Sequence, residues 1–267
     1  LIQNLIMRLR KMNALEERLV MQNAEIKIQN QKIEEQSKAL KELVATKDRF
    51  FSIIAHDLKY PFGLIVGFSD MLVNTPIEDN NKKRLFAVQI NKAARDLMSL
   101  LENLLMWSRS QSGALKMNPI QFNLSIIISD ILSLYSISAK EKNINLQKDL
   151  AVNQAFGDVN MIMTIIRNLV SNALKFTPEG GTILIKTEKE DDKIAITVKD
   201  SGVGMTQEQI NKLFRIDVNT STIGTNNERG TGLGLILVQE FVKLNGGTIK
   251  VKSEPNIGSE FIVSIPF

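Results

Sequence analysis

Leu5, Met12, Leu19, Ile26, Ile33 and Leu40 recur every seven positions, and the column runs on through Lys47 to Ile54, Pro61 and Phe68 without a shift of register. A seven-residue apolar repeat is satisfied by a helix wound against a second helix. The companion column, three positions earlier, reads Ile2, Leu9, Glu16, Asn23, Asn30, Ser37, Val44 and Phe51. Its four successive polar residues make a weak coiled coil, because buried Asn fixes register and strand number at a cost in stability. Residues 1–47 contain no glycine or proline and are expected to form this coiled-coil helix. It suits a helix meant to shift between states. The alternative is a single solvated helix, but long polar helices rarely persist alone.

From residue 48 the seam grows more apolar. Phe51, Ile54, Leu58, Pro61, Ile65, Phe68 and Leu72 alternate three and four apart, as on a helix packed against other helices. His56 is the only histidine of the chain. It lies two positions past Ile54, about 200° round the helix at 3.6 residues per turn. The spacing therefore predicts that it faces away from the seam, with Ser52, Lys59, Tyr60 and Gly63. An imidazole, with an ordinary pKa of about 6.5, is mostly neutral near pH 7 and keeps a lone pair on one ring nitrogen. Asp57 beside it could take the proton that an imidazole loses on attack. A lone outward histidine is ordinarily just a solvated side chain, so this stretch alone assigns no chemistry.

Pro61 removes one backbone hydrogen bond and is expected to bend the helix. Asn74-Thr-Pro76 and Asp79-Asn-Asn81 mark a turn. A second helix follows, with Phe86, Ile90, Ala93, Leu97, Leu100, Leu104 and Trp107 again three and four apart. The two helices make an antiparallel hairpin, expected to occupy 48–115 and to end in a linker opening at Ser110 to Gly113. A hairpin gives each helix one neighbour, so half its apolar surface stays uncovered. Two hairpins would close a four-helix bundle, and the upstream coiled coil predicts the same two-fold pairing, a homodimer.

Composition narrows the chemistry. The net charge of +4 is small for 267 residues, and the lysines are interspersed with acids, which gives no support to a nucleic-acid partner. Without cysteine there is no disulfide or thiolate chemistry. One histidine and no cysteine leave no ordinary zinc site, whereas an oxygen-ligated Mg²⁺ site stays open. No run of 18 apolar residues is present to make a membrane span. Leu1-Ile-Gln-Asn-Leu5-Ile6-Met7, followed by Arg8, Arg10 and Lys11, looks like the cytoplasmic end of a span. On that reading a membrane-spanning sensor part lies upstream of residue 1, and this chain is the cytoplasmic portion of an inner-membrane protein. The same residues also suit the start of a coiled coil.

Beyond about Lys116 helical and strand patterns mix. Ile126 to Glu141 reads as a helix and Ile144 to Leu146 as a short strand. Asp158 is placed to N-cap a helix running to about Lys175. Thr182–Thr187 and Ile194–Val198 are β-branched strands around a turn at Glu190 to Asp192. A loop-rich stretch over 201–229 precedes a helix from Gly232 to about Leu244, and strands Thr248–Lys252 and Glu260–Ile265 close the domain. The order predicts an α/β sandwich over 116–267, a mixed sheet with helices on one face.

Three boxes in this domain carry chemistry. In Asn168-Leu-Val-Ser-Asn172-Ala-Leu-Lys175-Phe176 the two carboxamides and the ammonium fall four and three apart, on one helix face. On an otherwise apolar helix that face makes sense if it meets a metal–phosphate. Asp200-Ser-Gly202-Val-Gly204 follows a strand. Its glycines admit close backbone approach, and its carboxylate can accept from an amine. Gly230-Thr231-Gly232-Leu233-Gly234-Leu235 is a glycine-rich turn opening a helix whose free N–H groups suit phosphate. Each is weak alone, and together, in this order, they are strong. No Gly-Lys-Ser/Thr follows to make a P-loop, and no long βαβ repeat supports a dinucleotide fold.

With these boxes in this order, the chain from about residue 40 to 267 resembles the bacterial two-component sensor histidine kinases. His56-Asp57-Leu-Lys-Tyr60-Pro61 resembles the family's H box, Asn168 to Phe176 its N box and Leu213-Phe214 its F box. Asp200 to Gly204 and Gly230 to Leu235 resemble its two glycine boxes, and Gly258-Ser-Glu-Phe261 to Pro266 its last strand. The resemblance implies a dimerisation and phosphotransfer bundle joined to a Bergerat-type ATP-binding domain. It implies that His56 accepts a phosphoryl group from ATP, with Asp57 as general base, and passes it to an aspartate on a response regulator receiver domain. It further implies that Asn172, with Asn168, holds Mg²⁺ and that Lys175 contacts phosphate. Phe176 and Phe214 would flank the nucleotide, Asp200 would read the adenine amine, and 206–229 would be a mobile lid. Two positions depart from the family. The F box lacks its second aromatic, and Tyr60 stands four after His56 where a small polar residue is usual. Two other readings remain: a gyrase- or chaperone-type ATPase clamp, and a non-catalytic dimeric scaffold. The clamp class carries a water-activating glutamate where this chain has Asn168.

Overall fold

The structure, a computed structural model, describes residues 2–74, 79–112, 115–215, 222–226, 228 and 232–267; within α1 several side chains, that of His56 among them, lie outside the described set. The chain divides into two compact units, Leu1–Ser52 and Ile53–Phe267.

The first unit is the leading part of a single helix, α1 (Ile2–Asn74). The described members of its heptad column, Met12, Leu19, Ile26, Ile33 and Leu40, are all exposed, as expected of a coiled-coil strand taken alone.

In the second unit α1 continues through Pro61 with no break in its helical assignment. It is followed by α2 (Asn80–Gln111). Asp79 caps α2, its Oδ1 accepting from Asn81 N at 2.8 Å. Phe68 and Phe86 stack across the hairpin near its turn with ring centroids 5.4 Å apart. Ile54, Ala93 and Leu100 are buried, whereas Phe62, Val66, Leu85, Val88, Met98 and Leu105 stay exposed. At the far end of α2, Met106 and Trp107 pack against the core of the following domain, and Ser110 Oγ donates to Glu240 Oε1 at 2.9 Å.

That domain contains β1 (Pro119–Asn123), α3 (Leu124–Glu141), β2 (Asn145–Leu150), β3 (Gln154–Asp158), α4 (Val159–Phe176), β4 (Thr182–Glu190), β5 (Lys193–Asp200), α5 (Gln207–Lys212), α6 (Leu233–Leu244), β6 (Thr248–Glu254) and β7 (Gly258–Pro266). The main sheet runs β2-β4-β5-β7-β6, with β2 parallel to β4 and the other pairs antiparallel. Strand alternation sends Ile183 and Ile185 of β4, Ile194 and Ile196 of β5, and Val263 and Ile265 of β7 into the core. There they meet Ile162, Ile165, Ile166 and Leu169 of α4 and Leu237, Val238 and Phe241 of α6. The predicted helical hairpin and mixed-sheet α/β domain are both present.

Several boundaries and elements differ from expectation. The helix α3 starts at Leu124 rather than Ile126, because the Asn123 side chain accepts from both Ser125 N and Ile126 N and so caps it there. The strand expected at Ile144 begins one residue later and runs to Leu150. β1 and β3 pair with each other in a small antiparallel sheet that the sequence pattern does not predict. The stretch read as loop after Ser201 contains α5, set by a capping box between Thr206 and Gln209.

Candidate functional site

α4 supplies the amide and ammonium groups. Asp158 starts it, accepting from Asn160 N and Met161 N, and so fixes which face Asn168, Asn172 and Lys175 share. Asn168 Nδ2 donates to Thr164 O at 2.8 Å, which leaves its Oδ1 turned away from that bond. A Cβ on Gly234 would come within 2.6 Å of this oxygen. The start of α6 thus lies against the Asn168 side chain, and the first and third boxes meet side by side. Asn172 is half-buried on the same face.

Lys175 ends this row. Its Nζ donates to Thr222 O at 2.6 Å and stands 4.5 Å over the Phe176 ring. Burial lowers its pKa from 10.5 to about 8, while the Glu228 carboxylate pulls it back up.

Asp200 closes β5 and is buried. Its Oδ1 accepts from Gly202 N at 2.8 Å and from Ser259 N at 3.2 Å. Burial raises the carboxyl pKa, and the two amide bonds oppose that rise. Val203 N donates to Phe176 O at 3.1 Å, which seats the first glycine turn on the end of α4. Gly204 has φ +63, and a Cβ there would fall on the Glu254 carbonyl oxygen, so no other residue fits.

α6 opens at Gly232 with no side-chain cap, unlike α2, α3, α4 and α5. Its leading N–H groups have no partner within the helix and suit an anion. The Leu233 side chain is buried and that of Leu235 is half-buried against the core. What these two offer a ligand is therefore backbone. Phe214, just past α5, is half-buried against the core. Gly230 and Thr231 lie outside the described residues, as does the His56 side chain; the His56 backbone is in α1. Asp57 is half-buried and Tyr60 exposed.

The structure thus brings together Asn168 with Gly234, and Phe176 with the Asp200–Gly204 turn. Three residues outside every box belong to the same end of the domain: Lys142, Thr225 and Glu228. Lys142 Nζ donates to Leu174 O at 2.9 Å and to Thr225 Oγ1 at 3.0 Å, and pairs with Glu228 at 2.5 Å. In the sequence it is one charge of Lys140-Glu-Lys142, a pattern that reads as a solvated helix end and carries no sign of burial.

Together these groups can grip a polyphosphate at the α4–α6 end and an amine-bearing ring at Asp200. Among the described residues no cluster of three His, Cys, Asp or Glu stands ready for a metal. Two carboxamide oxygens do suit a hard cation that draws further oxygen ligands from phosphate and water.

Two regions of the chain match known family models. Residues 157–267 match the family model described as histidine kinase-, DNA gyrase B-, and HSP90-like ATPase. Residues 46–113 match that of the His Kinase A (phospho-acceptor) domain. The chain is 32% identical over 249 residues to hybrid signal transduction histidine kinase D of Dictyostelium discoideum, a match covering 91% of this chain and 16% of that protein. It is 31% identical over 258 residues to the sensor protein GacS of Pseudomonas syringae pv. syringae, covering 92% of this chain and 28% of that protein. The chain therefore spans under a third of the length of either relative. Among solved structures, histidine kinase AdeS of Acinetobacter baumannii shares the fold at TM-score 0.63 and 19% identity, over 79% of this chain and 97% of its own. Histidine kinase ThkA, solved in complex with the response regulator protein TrrA, does so at TM-score 0.64 and 23% identity, over 81% of this chain and 60% of its own.

Proposed function

This chain belongs to the sensor histidine kinase family, and we propose that it moves the γ-phosphoryl group of ATP onto His56 and from there to an aspartate of a response regulator. The observation that carries this reading is the convergence of three boxes, far apart in sequence, on the middle and C-terminal end of α4 and the start of α6. Asn168 meets Gly234, Phe176 meets the Asp200–Gly204 turn, and the Lys175 ammonium lies over the Phe176 ring.

In the step itself a nitrogen–phosphorus bond forms at His56, the bond from the γ-phosphorus to the bridging oxygen breaks, and ADP leaves. Asp57 takes the proton that the imidazole gives up. The transition state is loose, so the protein's part is positioning and charge neutralisation. Asn172 and Asn168 would hold Mg²⁺, which would supply positive charge against the phosphates. Lys175 grips phosphate, the uncapped N–H groups of α6 cradle it, and Asp200 accepts from the adenine amine. Phe176 and Phe214 flank the nucleotide, with Gly202, Gly204 and the Gly230–Leu235 turn as backbone walls. The linker near Gly113 lets the ATP domain swing toward the hairpin.

The domain bounds 1–47, 48–115 and 116–267 belong to this reading, as does a homodimer through the hairpin and coiled coil. The response regulator partner is supported by ThkA, which was solved with one. The basic residues after Met7 support a place beside a membrane. Among the described residues no helix is long and apolar enough to cross one.

The deciding experiment is incubation with γ-labelled ATP and Mg²⁺, followed by acid. Label on the protein that acid removes is phosphohistidine and supports the proposal. Released phosphate with no labelled protein would make the chain an ATPase clamp, and neither outcome would leave a scaffold.

Lys175 adds a pH signature. With a pKa of about 8 it is charged below that pH and loses its charge above it. Bound phosphate should raise the pKa, so binding Mg-ATP near pH 8 should take up roughly half a proton. Calorimetry in buffers of different ionisation enthalpy reads this directly. The uptake should vanish in Lys175→Met, and affinity should fall between pH 7 and 9, where a lysine at 10.5 would hold it constant.

A further inference from the structure

We infer that Lys142 is a positioning residue of the phosphate site, which keeps the Glu228 carboxylate engaged and so leaves the Lys175 ammonium to the nucleotide. The inference rests on the ATP reading above and adds to it a residue that belongs to none of the boxes.

Lys142 caps α3 and is buried, with 8% of its surface exposed, which is rare for a lysine that is not fully partnered. Its three N–H donors meet Leu174 O, Thr225 Oγ1 and Glu228 Oε1. The first of these is a carbonyl near the C-terminus of α4, where the helix dipole favours a cation. The other two belong to the stretch described at 222–226 and 228. That segment folds back on the same helix end, with Thr225 N donating to Lys175 O at 3.0 Å and Gly224 N to Glu228 O at 2.7 Å. Asn226 N donates to Glu228 Oε2 at 2.7 Å, so both carboxylate oxygens are held. A Cβ on Gly224 would lie 2.5 Å from Lys175 Cγ and 2.5 Å from Glu228 Oε2, which shows how closely the two side chains flank this backbone.

Two cations therefore border one carboxylate, and only Lys142 holds it in an ion pair. Glu228 still acts on Lys175 through space. Lys175 instead donates to a neutral carbonyl, Thr222 O, a bond that a phosphate oxygen outcompetes because the acceptor is then charged. Remove the Lys142 charge and Glu228 loses its partner beside the other ammonium. It should turn to Lys175 and occupy the group that phosphate needs.

The test is the autophosphorylation rate of the full chain against Mg-ATP concentration. Lys142→Met is expected to raise KM for ATP about tenfold with kcat changed less than about twofold, the signature of lost ground-state binding. Lys142→Arg keeps the pair and should stay near wild type. Adding Glu228→Gln to Lys142→Met removes the competitor and should bring KM back toward wild type. A double variant as weak as Lys142→Met would overturn the inference, since Lys142 would then act only as a structural anchor. So would a Lys142→Met protein with unchanged KM. A Lys142→Met protein that loses its fold, seen by circular dichroism, would overturn it too if the double variant fails to regain it. A wild type that binds no ATP would instead overturn the proposed function itself, and this inference with it.

Discussion

Replacing His56 with glutamine is expected to abolish labelling of the protein by γ-labelled ATP while leaving the Kd for Mg-ATP within about twofold of wild type. The two halves of this result come from different parts of the chain. His56 lies in α1, in the region that matches the phosphoacceptor domain. Every group assigned to nucleotide lies between Asn168 and Leu235, in the α/β domain. Glutamine keeps the length and polarity of the side chain but has no lone pair on nitrogen able to attack phosphorus, and it suits a helix at least as well as histidine. Labelled protein surviving in the variant would move the acceptor elsewhere, and lost ATP binding would mean that the residue supports the nucleotide domain instead.

The second large effect should come from Asn172→Ala. It removes the carboxamide assigned to Mg²⁺ from the middle of the Asn168–Asn172–Lys175 row. Affinity for Mg-ATP should fall at least about tenfold, on the scale seen when groups supporting a bound metal are lost. The effect should shrink when nucleotide binding is measured with Mg²⁺ chelated. Alanine favours helix more than asparagine, so α4 itself should be no less stable, and the oligomeric state by sedimentation should match that of wild type. Unchanged affinity in Mg²⁺ buffer would place the metal elsewhere.

What could be read from the sequence follows how much each signal repeats. The long helix and the hairpin were legible because their apolar columns recur over many turns, so single exceptions such as Lys47 do not hide the period. The α4 boundary was legible because Asp158 is a strong cap ahead of an apolar run. β1 and β3 were not, since each is only five residues long, too short to establish a period, and Gln154–Asp158 contains a glycine. α5 did have a signal, Thr206-x-x-Gln209, but it lies within a stretch whose composition reads as loop. In the site, the boxes mark residues that the fold brings close together, but not what each side chain packs against there. Leu233 belongs to a glycine box and yet packs inward. Lys142 belongs to no box and yet joins α3, α4 and the stretch at 222–226 and 228, a role set by contacts between 32 and 86 residues away in sequence (Leu174 to Glu228). No local pattern can encode that.

The uncovered side of the hairpin bears on how this protein behaves on dilution. Phe62, Val66, Leu85, Val88, Met98 and Leu105 face solvent in one copy, and a dimer of hairpins would take them from water. The folded hairpin is then stabilised by mass action as well as by its own contacts. Each tenfold dilution costs such a dimer about 1.4 kcal/mol, whereas a domain with its own closed core feels none of it. The two halves of the chain should therefore melt by different laws, the hairpin at a temperature that climbs with protein concentration and the α/β domain at one that does not.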